Sequence, residues 1–191
     1  MRICVYGASS GAIDKSFIQA GETLGRYMAE RGHELIFGGG AHGMMGAVAR
    51  GMTEKGGRII GIAPSFFHVD GVLYEHCDEF VYTETMRERK QLMEERADAF
   101  IMSAGGIGTL EEFFEILTLK QLGRHGKPIA VLNTGRYYDA ITDMLQNAVE
   151  QQFMTPASLS LFGVFEDAEA LLDYLENDGG ETADMRQMKY F

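Results

Sequence analysis

Residues 103–112 read SAGGIGTLEE, three glycines followed by a threonine and two adjacent glutamates. Two further turns share this density of small residues, GASSG over 7–11 and GGGAHGMMG over 38–46. Each follows an apolar run and precedes a stretch with helical spacing. Glycine lets backbone N–H groups approach a ligand and adopt positive φ. The helix start that follows adds unpaired N–H groups and a partial positive charge. Together they suit an anion, most simply a phosphate. One such turn is ordinary strand-to-helix punctuation, whereas three at one edge point to a ligand, with Ser9, Gly39, Gly40, Gly43 and Gly105 as candidate contacts. GASSGA lacks the GxGxxG spacing of dinucleotide sites, no acid closes a second strand near residue 37, and no GxxxxGK[ST] occurs. NAD, FAD and P-loop ATP binding are therefore disfavoured, which leaves a mononucleotide or a sugar phosphate.

Charged residues stand beside these turns. In TMRERKQLMEERA (85–97), read as a helix, Met86, Met93 and Ala97 mark an apolar side. Arg89 falls three residues after Met86 and four before Met93, so it interrupts that side, with Lys90 next to it. An inward arginine needs a carboxylate or a phosphate; the plain alternative is a structural Arg–Glu pair. In the helix after SAGGIG, Leu110, Phe113, Phe114 and Leu117 form the buried side, and Glu111, Glu115 and Thr118 share another. Thr109 with Glu112 has the spacing of a capping box, and Glu111 that of a first-turn acid. Periodicity leaves open which glutamate faces a ligand. A carboxylate here can stabilise the cationic sugar centre formed when a glycosidic bond breaks, or activate a water. His42 and His33 complete no metal site, and neither a GxSxG elbow nor an activated cysteine is present.

The elements that must carry these residues alternate. Strands are expected over 2–7, 34–40, 58–64, 79–83, 98–103, 127–133 and 158–165. Helices are expected over 15–31, 44–56, 85–97, 109–123, 137–153 and 166–177, with 65–78 as a loop. Gly32 and Gly123 are placed to cap two of the helices. This rhythm predicts an α/β, Rossmann-like three-layer fold with a mainly parallel sheet. In such a sheet ligands sit outside the C-terminal strand ends, where all three turns fall. A single nucleotide-binding domain is expected over 1–177, followed by a tail over 178–191 without clean periodicity.

The bulk composition narrows the class. The formal charge of −11 argues against a nonspecific nucleic-acid binder. Cys4 and Cys77 have no metal-like or CxxC spacing, so both are expected reduced. No apolar run approaches the length of a membrane span and the first residues do not resemble a signal peptide, so a cytoplasmic protein is the expectation.

The motifs resemble those of the LOG ("lonely guy") family, often mislabelled as lysine decarboxylases. GGGAHGMMG resembles its GGGxxGxMG element, MRERK (86–90) its MxxRK element, and AGGIGTLEE (104–112) its PGGxGTxxE element, with Ala104 at the family's proline. The resemblance implies a Rossmann-like fold, a homodimer, and cleavage of a cytokinin riboside 5′-monophosphate, or AMP, to free base and ribose 5-phosphate. It implies Arg89 and Glu112 as the catalytic pair. It implies nucleotide contacts from Lys90, Gly106, Ile107, Gly108, Thr109, Leu110, Glu111 and Thr118, and no metal or redox cofactor. No lysine stands in a recognisable pyridoxal phosphate context. The alternative is a nucleotide-binding or sensor protein without chemistry.

Overall fold

The computed structural model describes residues 1–178 and Gly180. Short apolar runs form β1 (Arg2–Tyr6), β2 (Glu34–Phe37), β3 (Ile59–Pro64), β4 (Glu79–Thr83), β5 (Ala99–Met102), β6 (Ile129–Leu132) and β7 (Gly163–Phe165). Between them lie α1 (Lys15–Glu30), α2 (Gly43–Glu54), α3 (Met86–Arg96), α4 (Ile107–Gln121), α5 (Asp139–Glu150) and α6 (Ala168–Asn177). The strands make one sheet in the order β4-β3-β2-β1-β5-β6-β7, with every neighbouring pair parallel. The expected three-layer α/β architecture is what the chain adopts.

Both faces of the sheet are covered, which is why its strands read as continuous apolar runs. On one face Ile3, Val5, Leu35, Phe37 and Ile101 pack with Leu24 and Met28 of α1, Val48 and Met52 of α2, and Leu171, Leu172 and Leu175 of α6. On the other, Cys4, Tyr6, Ile36, Phe100 and Met102 pack with Met93 of α3 and Phe113, Ile116 and Leu117 of α4. Cys4 and Cys77 are both free thiols. The glycines inside the first two helices have a packing reason. A Cβ at Gly25 would lie 2.1 Å from the Val48 oxygen, and one at Gly51 would lie 2.1 Å from the Glu22 oxygen. They let α1 and α2 touch backbone to backbone.

The strand order places a topological switch at β1. The chain runs outward from β1 through β2 and β3 to β4, then α3 carries it back to β5 on the other side of β1. Turns leaving neighbouring strands at such a switch diverge and open a crevice at the carboxyl edge. The connection from β3 to β4 contains only a 3₁₀ turn (Ser65–Phe67) and a bridge from Leu73 to Gly40. It therefore runs across that edge instead of packing as a helix on a face.

Two local expectations are corrected. The strand expected over 158–165 is a strand only over Gly163–Phe165; a 3₁₀ turn occupies Pro156–Leu161. Pro156 fixes φ at the start of that turn. The buried Ser158 hydroxyl accepts from Gln121 Nε2 at 3.1 Å, so the alternating SLSL is not a ladder pattern. The helix expected to start at Thr109 starts at Ile107, with Gly106 as its N-cap, so Thr109 and Glu112 form no capping box. The tail set apart over 178–191 lies, except for Asp178 and Gly180, outside the described residues.

Candidate active site

The turns after β1, β2, β3 and β5 surround one cavity of about 600 Å³, within the range of nucleotide-sized sites. Its wall is built by Gly7, Ala8, Ser9 and Ser10 after β1, Gly38, Gly40, His42 and Met45 after β2, and Phe67, Val72 and Leu73 after β3. Met86 and Arg89 of α3 and Gly106, Gly108, Thr109 and Glu112 of the α4 start complete it. The turns are tied to one another. The Ala8 N–H donates to the Ala104 oxygen at 3.0 Å, and the Met45 N–H donates to the Ala8 oxygen at 3.2 Å. The 65–78 connection is pinned across the mouth. Ala41 N–H donates to Val72 O at 3.0 Å, Tyr74 N–H to Gly39 O at 2.8 Å, and His42 Nε2 to Gly71 O at 3.0 Å.

Arg89 reaches the cavity because α3 has a fixed start. Thr85 and Glu88 close a capping box, with the Glu88 N–H donating to Thr85 Oγ1 at 3.2 Å and the Thr85 N–H to Glu88 Oε2 at 3.3 Å. The T-x-x-E signal for this box is legible in TMRE. One turn later Arg89 points inward. Its Nη2 lies 2.9 Å from Glu112 Oε1, and its Nε donates to the Ile62 oxygen of β3 at 3.3 Å. A Cβ at position 38 would lie 2.3 Å from Arg89 Nη2, so the glycine leaves the guanidinium room to sit where it does.

Glu112, freed from a capping role, sits in the second turn of α4 and is buried with Arg89. Burial pushes its carboxyl above the ordinary glutamate value, and the Arg89 charge and hydrogen bond offset part of that rise. The structural Arg–Glu pair considered from the sequence is therefore present, but it forms part of the cavity wall beside the glycine turns. Glu111, the other candidate, faces outward and pairs with Lys90 at 2.5 Å.

The remaining site candidates divide by position. Ser9, Gly40, Gly106, Gly108 and Thr109 line the cavity with Arg89 and Glu112. Gly39 in the β2–α2 turn and Gly43 at the first position of α2 have φ of +79° and +60°, and neither is part of the cavity wall. A Cβ at Gly105 would lie 2.1 Å from Thr109 Oγ1, so this glycine packs under the turn. Ile107 is 89% exposed at its outer tip, and Leu110 is half-buried. Lys90 is occupied by Glu111 and by Glu115 at 2.9 Å, and it lies outside the cavity wall, as does the exposed Thr118. Among the described residues, no three His, Cys, Asp or Glu side chains cluster as metal ligands would. No helix among them is long and apolar enough to cross a membrane. The apolar lining from Phe67, Val72 and Leu73 escaped sequence reasoning because that segment has neither helical nor strand periodicity.

Residues 45–175 match the family model described as "Possible lysine decarboxylase". A probable cytokinin riboside 5′-monophosphate phosphoribohydrolase of Oryza sativa subsp. japonica is 38% identical over 175 residues, covering 92% of this chain and 77% of the rice protein. The chain belongs to the LOG family. A cytokinin riboside 5′-monophosphate phosphoribohydrolase of Arabidopsis thaliana is 34% identical, over 92% of this chain and 82% of its own. Among solved structures, the molybdenum cofactor binding protein of Rippkaea orientalis superposes with a TM-score of 0.71 at 20% identity, covering 92% of this chain and 94% of that one. At that identity the likeness shows a shared fold alone. The cavity wall contains the Arg89 and Glu112 of the MxxRK and PGGxGTxxE elements.

Proposed function

We propose that the protein hydrolyses the N-glycosidic bond of a purine riboside 5′-monophosphate, releasing free base and ribose 5-phosphate, and that the favoured base carries an apolar N6 substituent. The observation that carries this reading is the buried Arg89–Glu112 pair set in the wall of a cavity rimmed by glycine turns. The phosphate lies on the α4 N-terminus and the neighbouring turns, where backbone N–H groups and the helix dipole favour an anion. As the bond from C1′ to the base nitrogen lengthens, positive charge grows on the ribose. The Glu112 carboxylate stabilises it or takes a proton from the attacking water. Water oxygen bonds to C1′, and its proton ends on the departing base. Arg89 fixes the carboxylate and holds an oxygen or nitrogen of the nucleotide through its remaining donors.

The base end is apolar. Phe67, Val72 and Met86 line the cavity while remaining 41%, 39% and 40% exposed, which is costly for apolar side chains unless a ligand covers them. Isopentenyladenosine monophosphate is expected to have a kcat/KM about tenfold or more above that of AMP, measured as free base released. Equal values would remove the apolar subsite from the reading, and release from neither nucleotide would remove the reaction.

The protein is also proposed to act as a homodimer. Ile107, Met144 and Phe153 are 89%, 60% and 85% exposed, apolar surface that a second copy would cover. Light scattering at micromolar concentration is expected to give twice the chain mass; a monomer mass throughout the working range would refute it.

A further inference from the structure

The connection from β6 to α5 bears on the glycine turn after β5 in a way the catalytic pair does not. Three successive carbonyls of that turn are held from outside. The Tyr138 hydroxyl donates to Ser103 O at 2.9 Å, the Ala8 N–H to Ala104 O at 3.0 Å, and the Tyr137 hydroxyl to Gly105 O at 3.0 Å. A planar trans peptide sets its N–H opposite its C=O, and no peptide bond in the described chain is cis. Fixing the Gly105 carbonyl on Tyr137 therefore fixes the Gly106 N–H in the reverse direction. Gly106 lines the cavity, and no described residue accepts from its N–H.

The two tyrosines are themselves placed with unusual care. Gly135 and Arg136, directly before them, have φ of +60° and +61°. For arginine this left-handed conformation costs about 1 kcal/mol or more, and such strain collects where geometry matters. The Arg136 Nε donates to Asp139 Oδ2 at 2.7 Å, and Asn133 holds both the Tyr138 N–H and Asp139 Oδ1. The Tyr137 ring stands edge-on to Phe17 of α1 at 5.6 Å and to Tyr138 at 4.8 Å. The ring is thus fixed by packing, which leaves the hydroxyl to hold the turn. At position 104 this chain has alanine, whose φ is not locked as a proline's would be. The turn therefore takes its rigidity from these outside bonds.

We propose that Tyr137 is a positioning residue for phosphate: its hydroxyl holds the Gly105 carbonyl away from the cavity and so aims the Gly106 N–H at the phosphate of the nucleotide. This rests on the placement of phosphate in the proposed function. Tyr137→Phe removes the hydroxyl and keeps both ring contacts. Calorimetry with ribose 5-phosphate, and separately with adenosine, which lacks the phosphate, reads the effect without turnover. The Kd for ribose 5-phosphate is expected to rise about threefold to tenfold, the worth of one partly exposed hydrogen bond. The Kd for adenosine is expected to stay at its wild-type value. In turnover the loss falls on KM rather than kcat, because the phosphate is held alike in ground and transition states. Unchanged ribose 5-phosphate affinity, or equal weakening of both ligands, would overturn the proposal. A wild-type protein that binds ribose 5-phosphate but releases no base from any nucleotide would overturn the hydrolytic reading and leave the Tyr137 comparison decisive for the brace.

Discussion

Glu112→Gln is expected to lower kcat by about 10²–10⁴-fold, the range for loss of a charged or proton-transferring group in the transition state. The amide has the shape of the carboxyl and can still accept from Arg89 Nη2, which now stands at 2.9 Å from Glu112 Oε1. Fold and ribose 5-phosphate binding are therefore expected to survive. In the proposed reaction what is lost is the negative charge beside C1′, which matters only once the sugar becomes cationic. A pH profile adds a second signature. Burial holds the Glu112 carboxyl above the ordinary glutamate range, with Arg89 opposing the shift. The ionised form therefore accumulates later as pH rises, and the acid limb of kcat/KM is expected above the ordinary carboxylate value. In Glu112→Gln that limb disappears along with most of the rate. Full turnover in the variant would show that the carboxylate is only a structural partner of Arg89.

Why the site was partly legible in the sequence follows from which forces leave a pattern. The glycine turns are visible because close backbone approach excludes a Cβ. Gly38 is the clear case, since a Cβ there would collide with Arg89 Nη2 at 2.3 Å. Arg89 betrayed itself by breaking an apolar side, and it is buried. The choice between Glu111 and Glu112 was not legible from spacing, because it turned on where α4 begins. A start at Ile107 removes the capping role that a start at Thr109 would have given Glu112, and the glycine N-cap leaves no side-chain signal for that boundary. Lys90 could not be placed either. Its side chain has the length to reach the cavity or the outer carboxylates, and Glu111 and Glu115 take it. The parallel sheet was legible from the alternation of apolar runs and helical spacings. The β3–β4 connection was not, because its Phe67, Val72 and Leu73 are ordered by the bridge to Gly40 and by pinning hydrogen bonds rather than by their own periodicity.

Arg89→Met tests the same pair from its other side, and its largest effect is on stability. The methionine fills much of the space of the arginine stem but leaves the Glu112 carboxyl buried without its counter-charge. Breaking a buried pair in this way costs about 3–5 kcal/mol when the remaining group stays ionised. The sign of the pH dependence follows from the direction of the shift. Burial makes Glu112 hold its proton more tightly in the folded state, and the Arg89 charge is the main influence opposing it. Without Arg89 the folded-state value rises further while the unfolded value stays near that of a free glutamate. From the unfolded value upward the unfolded chain gives up this proton more readily than the folded one, so stability falls as pH rises through the window between the two. Denaturant unfolding of Arg89→Met is expected to show a steeper loss from acid to neutral pH than the wild type. Adding Glu112→Gln is expected to flatten that slope and restore part of the stability, because the second change removes the charge that the first one stranded. A single variant whose stability is flat with pH, or a double variant no more stable at neutral pH than Arg89→Met, would mean that the two side chains are not coupled in the wall of the cavity. The same geometry explains why an enzyme would keep so unfavourable a pair in its core. Arg89 opposes the upward push that burial gives the Glu112 carboxyl, and so favours the carboxylate in the wall where the proposed reaction would form a cationic sugar.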